Sequence, residues 1–186
     1  MSKLIFISGA SSGIGEYLAY AYAGRGATLG LAARREELLN KVAEKCNELR
    51  GTAHVFQVDA KDQLACKSAA EEFMAQAGGI DMVIANAGIG GHDDLMSGDA
   101  TAINNIIETN VIGVTNTLIP FIPAMKEQKS GILVNVSSVA SFLRIAYHGG
   151  YAGAKVNIRL MADSWRLTLT KYNIQVTTIC PGFIKT

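Results

Sequence analysis

The chain has 186 residues, 49% of them hydrophobic, and its 17 basic and 16 acidic residues give a formal charge of +1. That length and apolar content suit one domain with a full core and exclude a disordered chain. The balanced charge leaves no electrostatic footprint for nucleic acid or an anionic membrane.

A β-rich run over 3–8 leads into Gly9-Ala10-Ser11-Ser12-Gly13-Ile14-Gly15, after which Tyr17, Leu18, Ala21 and Tyr22 recur at helical spacing. Strand, glycine turn and helix follow one another there. A second strand over 28–33 runs into Arg34, Arg35 and a helix over 36–50. A third, 54–58, ends at Asp59 and is followed by a helix over 62–77. The fourth, 81–85, closes on Asn86-Ala87-Gly88, and 89–99 reads as a glycine- and acid-rich loop, with His92-Asp93-Asp94 solvated. A long helix over 101–126 is expected to be disturbed in its last turns by Pro120 and Pro123. The fifth strand, 132–136, closes at Ser137-Ser138; a partly apolar segment, 140–150, precedes a helix over 151–171; a sixth strand, 175–179, ends in Pro181-Gly182.

Strands that are nearly continuous Val/Ile/Leu/Ala runs, alternating with helices, predict an α/β fold: a doubly wound parallel sheet of the Rossmann type with helices on both faces. The whole chain, 1–186, reads as a single domain. Ligands of such sheets bind beyond the carboxyl ends of the strands, and Gly9, Asp59, Asn86, Ser138 and Pro181 all fall there. The apolar run at 4–7 is too short for a signal-peptide core and no stretch is long enough to span a membrane, so a cytoplasmic protein is expected.

The spacing of Gly9, Gly13 and Gly15 differs from the usual G-x-G-x-x-G. Its place between a strand and a helix still suits close approach of backbone N–H groups to a pyrophosphate. Where an acidic residue would hold a ribose 2′-hydroxyl, the second strand ends with Ala33 and Arg34, followed by Arg35, and guanidinium groups there can bind a 2′-phosphate; NADP(H) is therefore favoured over NAD(H). Glu36 or Glu37 turning inward would reverse that preference.

Tyr151 and Lys155 are one helical turn apart and share a face. A free phenol titrates near 10, so base work near pH 7 needs a shift of ~3 units, or about 4 kcal/mol. An exposed lysine one turn away contributes only about 0.3–0.5 kcal/mol, so Lys155 must act from a partly desolvated place. Ser138 and Ser137 are competing hydroxyls that point to opposite faces. Tyr147 is the competing phenol, but the residue four on from it is Tyr151 rather than a lysine, and it reads as lining a substrate mouth.

With the glycine turn, Asn86-Ala87-Gly88, Asn110, Ser138 thirteen residues before Tyr151, Lys155 and Pro181-Gly182 in this order, the chain resembles the short-chain dehydrogenase/reductase family over all 186 residues. The resemblance implies hydride transfer between a nicotinamide and a ketone or secondary alcohol, with Asn110, Ser138, Tyr151 and Lys155 catalytic. It implies cofactor contacts from Gly9, Ser11, Ser12, Gly13, Ile14, Gly15, Arg34, Arg35, Asp59, Ala60, Asn86, Ala87, Gly88, Tyr151, Lys155, Pro181, Gly182 and Thr186. Asn110 would serve a proton relay through water to Lys155, or else cap a local helix kink. Members of the family usually continue for several dozen residues, so a fragment or a shortened fold lacking the last strand is expected. The resemblance also implies a homodimer or homotetramer formed through the two long helices. The alternative is a non-catalytic, regulatory dinucleotide-binding protein or an inactive fragment.

Cys46, Cys66 and Cys180 form an odd, widely spaced set, and His54, His92 and His148 lie far apart. Neither a disulfide framework nor a metal site is expected.

Overall fold

Among the described residues six strands, β1 (Leu4–Ser8), β2 (Thr28–Ala33), β3 (Thr52–Gln57), β4 (Met82–Ala85), β5 (Gly131–Val136) and β6 (Ile174–Ile179), pair in the order β3-β2-β1-β4-β5-β6. All five pairings are parallel. The computed structural model describes residues 3–184. Side chains alternate across the sheet. Ile5 and Ile7 of β1 join Leu29, Leu31 and Val134 under α1 (Gly13–Ala23) and α2 (Glu36–Glu48). Phe6 points the other way, towards α3 (Gln63–Ala77), a composite long helix, and α7 (Gly149–Leu169). This is the predicted doubly wound sheet with both faces covered.

Phe6 centres the second layer. Its ring centroid lies 5.7 Å from those of Phe56 and Phe73 and 5.0 Å from Phe121. Gly30 pairs with Phe6 across the sheet, and a Cβ there would stand 2.5 Å from the Phe6 ring and 2.8 Å from Phe73. The small residue in mid-strand makes room for this aromatic cluster.

The long helix is three pieces, α4 (Thr101–Ile107), α5 (Gly113–Leu118) and α6 (Ile122–Gln128). A 3₁₀ turn over Ile119–Phe121 falls at Pro120, as the prolines predict. A π turn over Glu108–Ile112 carries Asn110, the residue at which a local helix kink was the alternative expectation. Two further expectations are corrected. The helix expected to open at Tyr151 starts at Gly149, which makes Tyr151 its third residue. Asp93 is not solvated: it is 5% exposed and accepts a hydrogen bond from the Gly150 N–H at 3.0 Å.

Phe73 is fully buried among three rings. Phe73→Ala is expected to lower the unfolding free energy by about 3–5 kcal/mol, measured by urea denaturation.

Candidate active site

The order of the strands reverses between β1 and β4, since the helix after β1 lies on one face and that after β4 on the other. The crevice at that switch point opens into a cavity of about 520 Å³. Gly9, Ser11, Ser12, Gly13 and Ile14 line it from the turn after β1. Arg34 and Arg35 line it after β2, Asp59 and Ala60 after β3, and Asn86, Ala87 and Gly88 after β4.

Gly9 has φ +67° and Gly13 φ +60°, in the left-handed region that glycine enters without strain. Gly15 does not line the cavity. It packs behind the turn, where a Cβ would collide with the Gly9 carbonyl and stand 2.6 Å from Asn86 Nδ2. Asn86 Nδ2 in turn donates to the Gly9 carbonyl at 3.1 Å, which ties the turn after β4 to the turn after β1. Ser12 precedes α1 with an extended backbone and makes no side-chain cap, so it does not occupy the helix N–H groups that face the cavity mouth.

Arg35 Nη2 donates to Ser12 Oγ at 2.6 Å and to Ser11 Oγ at 3.2 Å, which holds its guanidinium against the glycine turn. Arg34 Nη1 is 4.0 Å from Asp59 Oδ2 in an exposed pair, too solvated to contribute much stability. Asp59 Oδ1 also accepts from the Lys61 N–H at 3.0 Å. Glu36 and Glu37 are exposed and do not line the cavity.

Ser138, Tyr151, Lys155, Pro181 and Gly182 lie outside this cavity, and Gly88 marks the boundary. A Cβ on Gly88 would stand 2.6 Å from Asn110 Oδ1 and 3.3 Å from Lys155 Nζ. Asn110 is fully buried and Lys155 is 4% exposed. Asn110 Nδ2 donates to the carbonyls of Ile89 at 2.7 Å and Ile106 at 2.9 Å. The amide therefore ties the π turn to the loop after β4, and its Oδ1 has no partner among the described residues. Lys155 Nζ donates to the Val136 carbonyl at 2.9 Å and lies 5.6 Å from the centroid of the Tyr151 ring.

The two serines part as strand alternation requires. Ser137 is buried and donates to the Lys155 carbonyl at 2.9 Å. Ser138 is half-buried and accepts from the Ala140 N–H at 3.1 Å. The Pro181 carbonyl accepts from the Val139 N–H at 3.0 Å, which brings the turn after β6 beside Ser138. Thr186 lies outside the described residues. Tyr147 is exposed, with its ring stacked on His92 at 4.7 Å.

Ser8 was missed by sequence reasoning. Its buried hydroxyl accepts from the N–H groups of both Asn86 and Ala87 at 3.3 Å and so fixes the turn that frames the cavity. A hydroxyl ending an otherwise apolar strand was the only signal. Thr109 and Thr117 also line the cavity, as does Cys66, whose buried thiol is pushed up to about 11. Among the described residues no cluster of His, Cys, Asp or Glu could hold a metal, and no helix is long and apolar enough to cross a membrane.

Fold and rim define a dinucleotide-binding α/β protein, and comparison with known proteins sharpens the class. A family model described as short chain dehydrogenase matches residues 3–186. An uncharacterized oxidoreductase of Myxococcus xanthus is 36% identical over 98% of this chain and 72% of its own length. One from Mycobacterium tuberculosis is 32% identical over 99% of this chain but only 55% of its own length. Among solved structures, an NAD+-bound xylitol dehydrogenase superposes with a TM-score of 0.94 at 25% identity, covering 99% of this chain and 71% of that one. An alcohol dehydrogenase from the archaeon Thermococcus sibiricus, complexed with 5-hydroxy-NADP, gives 0.91 at 28%, covering 100% and 78%. The chain belongs to the short-chain dehydrogenase/reductase family, a family of NAD(P)-dependent oxidoreductases.

Burial drives the Lys155 ammonium down from the ordinary lysine range to about 8, and the nearby Cys180 thiol partly offsets this. Below pH 8 both folded and unfolded chains carry the charge, and the folded state bears the full desolvation cost. Above pH 8 the folded state releases the proton first, so stability contributed by this group rises towards pH 10. Lys155→Met should raise the unfolding free energy at pH 7 by about 1–3 kcal/mol, net of the lost bond to Val136. That advantage should shrink between pH 8 and 10, as read by urea denaturation across pH.

Proposed function

We propose that the protein is an NADP(H)-preferring oxidoreductase acting on a ketone or secondary alcohol. The observation that carries this is that Asn110 Oδ1 and Lys155 Nζ both lie against Gly88, at the edge of a glycine-framed cavity. The cavity suits the adenosine and pyrophosphate portion of the cofactor, with backbone N–H groups of the glycine turn and the start of α1 facing the phosphates. Arg35, with Arg34 beside it, would pair with a 2′-phosphate. Tyr151, Lys155, Asn86, Ala87, Gly88, Pro181 and Gly182 would surround the ribose and nicotinamide portion.

A nicotinamide cofactor bound there would supply the hydride in reduction and accept it in oxidation. Tyr151 gives its phenolic proton to the substrate oxygen in reduction and takes one in oxidation. Ser138 donates a hydrogen bond to the same oxygen and fixes its position. Lys155 favours the deprotonated phenol through its charge, which acts strongly because the ammonium is desolvated. Its remaining N–H donors are available to ribose hydroxyls. A water held by Asn110 Oδ1 would connect Lys155 to solvent, consistent with that oxygen's lack of a partner among the described residues. A cytoplasmic location and a homodimer or homotetramer complete the proposal. The latter is supported by exposed Ile107, Ile112 and Ile119 on the long helix and Leu160 and Leu167 on α7.

The test is consumption of NADPH over a panel of ketones, beside direct cofactor binding. Tyr151→Phe should retain binding and lose turnover by more than 100-fold, an effect within the range attributed to general acid–base catalysis. Binding without turnover by the unaltered protein would favour a regulatory dinucleotide-binding role. Arg35→Ala should raise the KM for NADPH roughly 10- to 100-fold, the size of one charge-assisted contact, and leave that for NADH within about twofold. A KM for NADH equal to or below that for NADPH in the unaltered protein would sink the cofactor preference.

A further inference from the structure

We propose that Asp93 is a positioning residue for Tyr151: its carboxylate caps the helix that carries the phenol and sets where the phenol stands. The proposal rests on Tyr151 as the proton donor. The first N–H groups of a helix have no partner within it. At α7 the usual remedy fails, because the residue before the helix, His148, makes no side-chain cap; its Nδ1 instead lies 2.7 Å from the Gly91 carbonyl. Asp93, 57 positions earlier in the chain, takes that role through the 3.0 Å bond from the Gly150 N–H. The contact is reciprocal, since the Asp93 N–H donates to the Tyr147 carbonyl at 2.6 Å. Tyr147 adopts φ +61°, unusual for a residue with a side chain, in the turn that makes this contact.

The glycines at the helix start fit the same purpose. A Cβ on Gly149 would stand 3.1 Å from Asp93 Oδ2, and one on Gly150 3.1 Å from Oδ1 and from Ile103 Cγ2. Gly149-Gly150 thus lets a buried carboxylate approach the first turn closely, where the positive end of the helix dipole favours it. Tyr151 is the next residue.

The strand of loop that ends at Asp93 starts at the other side of the site. Gly88 abuts Asn110 and Lys155, the Ile89 carbonyl accepts from Asn110, and the Gly91 carbonyl meets His148. Residues 88–93 therefore join the cofactor-side turn to the start of the catalytic helix at successive fixed points. Loss of the Asp93 anchor should misplace the phenol relative to the substrate oxygen while the cavity between β1 and β4 stays intact. Misplacement by about 1 Å can cost on the order of 100-fold in rate.

The experiment is steady-state kinetics of Asp93→Ala and Asp93→Asn with NADPH and whichever ketone the panel shows to be turned over, alongside Tyr151→Phe. Asp93→Ala should lower kcat roughly 10- to 100-fold with the KM for NADPH unchanged. Asp93→Asn keeps an oxygen that can accept from Gly150, and its kcat should stay within about threefold. A kcat within twofold of the unaltered protein for Asp93→Ala overturns the proposal. So does a rise in cofactor KM that matches the fall in kcat, or an Asp93→Asn protein as impaired as Asp93→Ala. If Tyr151→Phe keeps its turnover, the assignment of Tyr151 falls and this proposal with it; if Tyr151→Phe is inactive while Asp93→Ala is not, only the role of Asp93 falls. Amide hydrogen exchange on the unaltered protein checks the cap without turnover or substitution. Gly150 N–H should be protected, and exchange at the rate of a free amide would overturn the proposal.

Discussion

The site depends on one costly placement, a lysine ammonium buried where β5, α7, the Gly88 turn and the π turn converge. Lys155 is 4% exposed, donates to the Val136 carbonyl, and lies against Gly88 beside Asn110. Burial of a cation opposes folding, and here the opposition is large enough to pull its titration down to about 8. In the proposed role of Tyr151, the same desolvation would give the charge its reach, because Coulomb attraction to a phenolate one turn away is strong only where water is thin. On that proposal, stability lost at Lys155 and electrostatic strength at Tyr151 are two consequences of one burial.

Around that charge the frame is made mostly of backbone. Ser8, Gly9, Gly15 and Asn86 lock the turns after β1 and β4 together through short contacts that tolerate no added side chain at the glycines. Arg35 is different in kind: an exposed side chain, held against the glycine turn by two serine hydroxyls. The rim thus joins a backbone cradle to an exposed cation.

Much of this was legible in the sequence because strong local signals agreed with the global fold. Near-continuous apolar runs marked the strands, Pro120 marked a break in the long helix, and adjacent serines had to part to opposite faces. The strand expected at 54–58 instead runs Thr52–Gln57, because pairing of Thr52 with Thr28 on β2 sets its start. The π turn was legible only as a local kink at the polar Asn110, since Asn110 lies in a helical pattern whether or not one residue bulges. Asp93 looked solvated because its partner is Gly150, a contact created only by folding. Ser8 was hidden for the same reason: its value lies in two N–H groups on another strand's end.

The most direct test of the account is the titration of the Lys155 amine itself, followed by ¹⁵N NMR of its Nζ in the folded, cofactor-free protein. The account predicts a midpoint about 8, set by desolvation. A midpoint near 10.4, that of a lysine in water, would contradict it, because the ammonium would then be solvated and too weak to act on Tyr151.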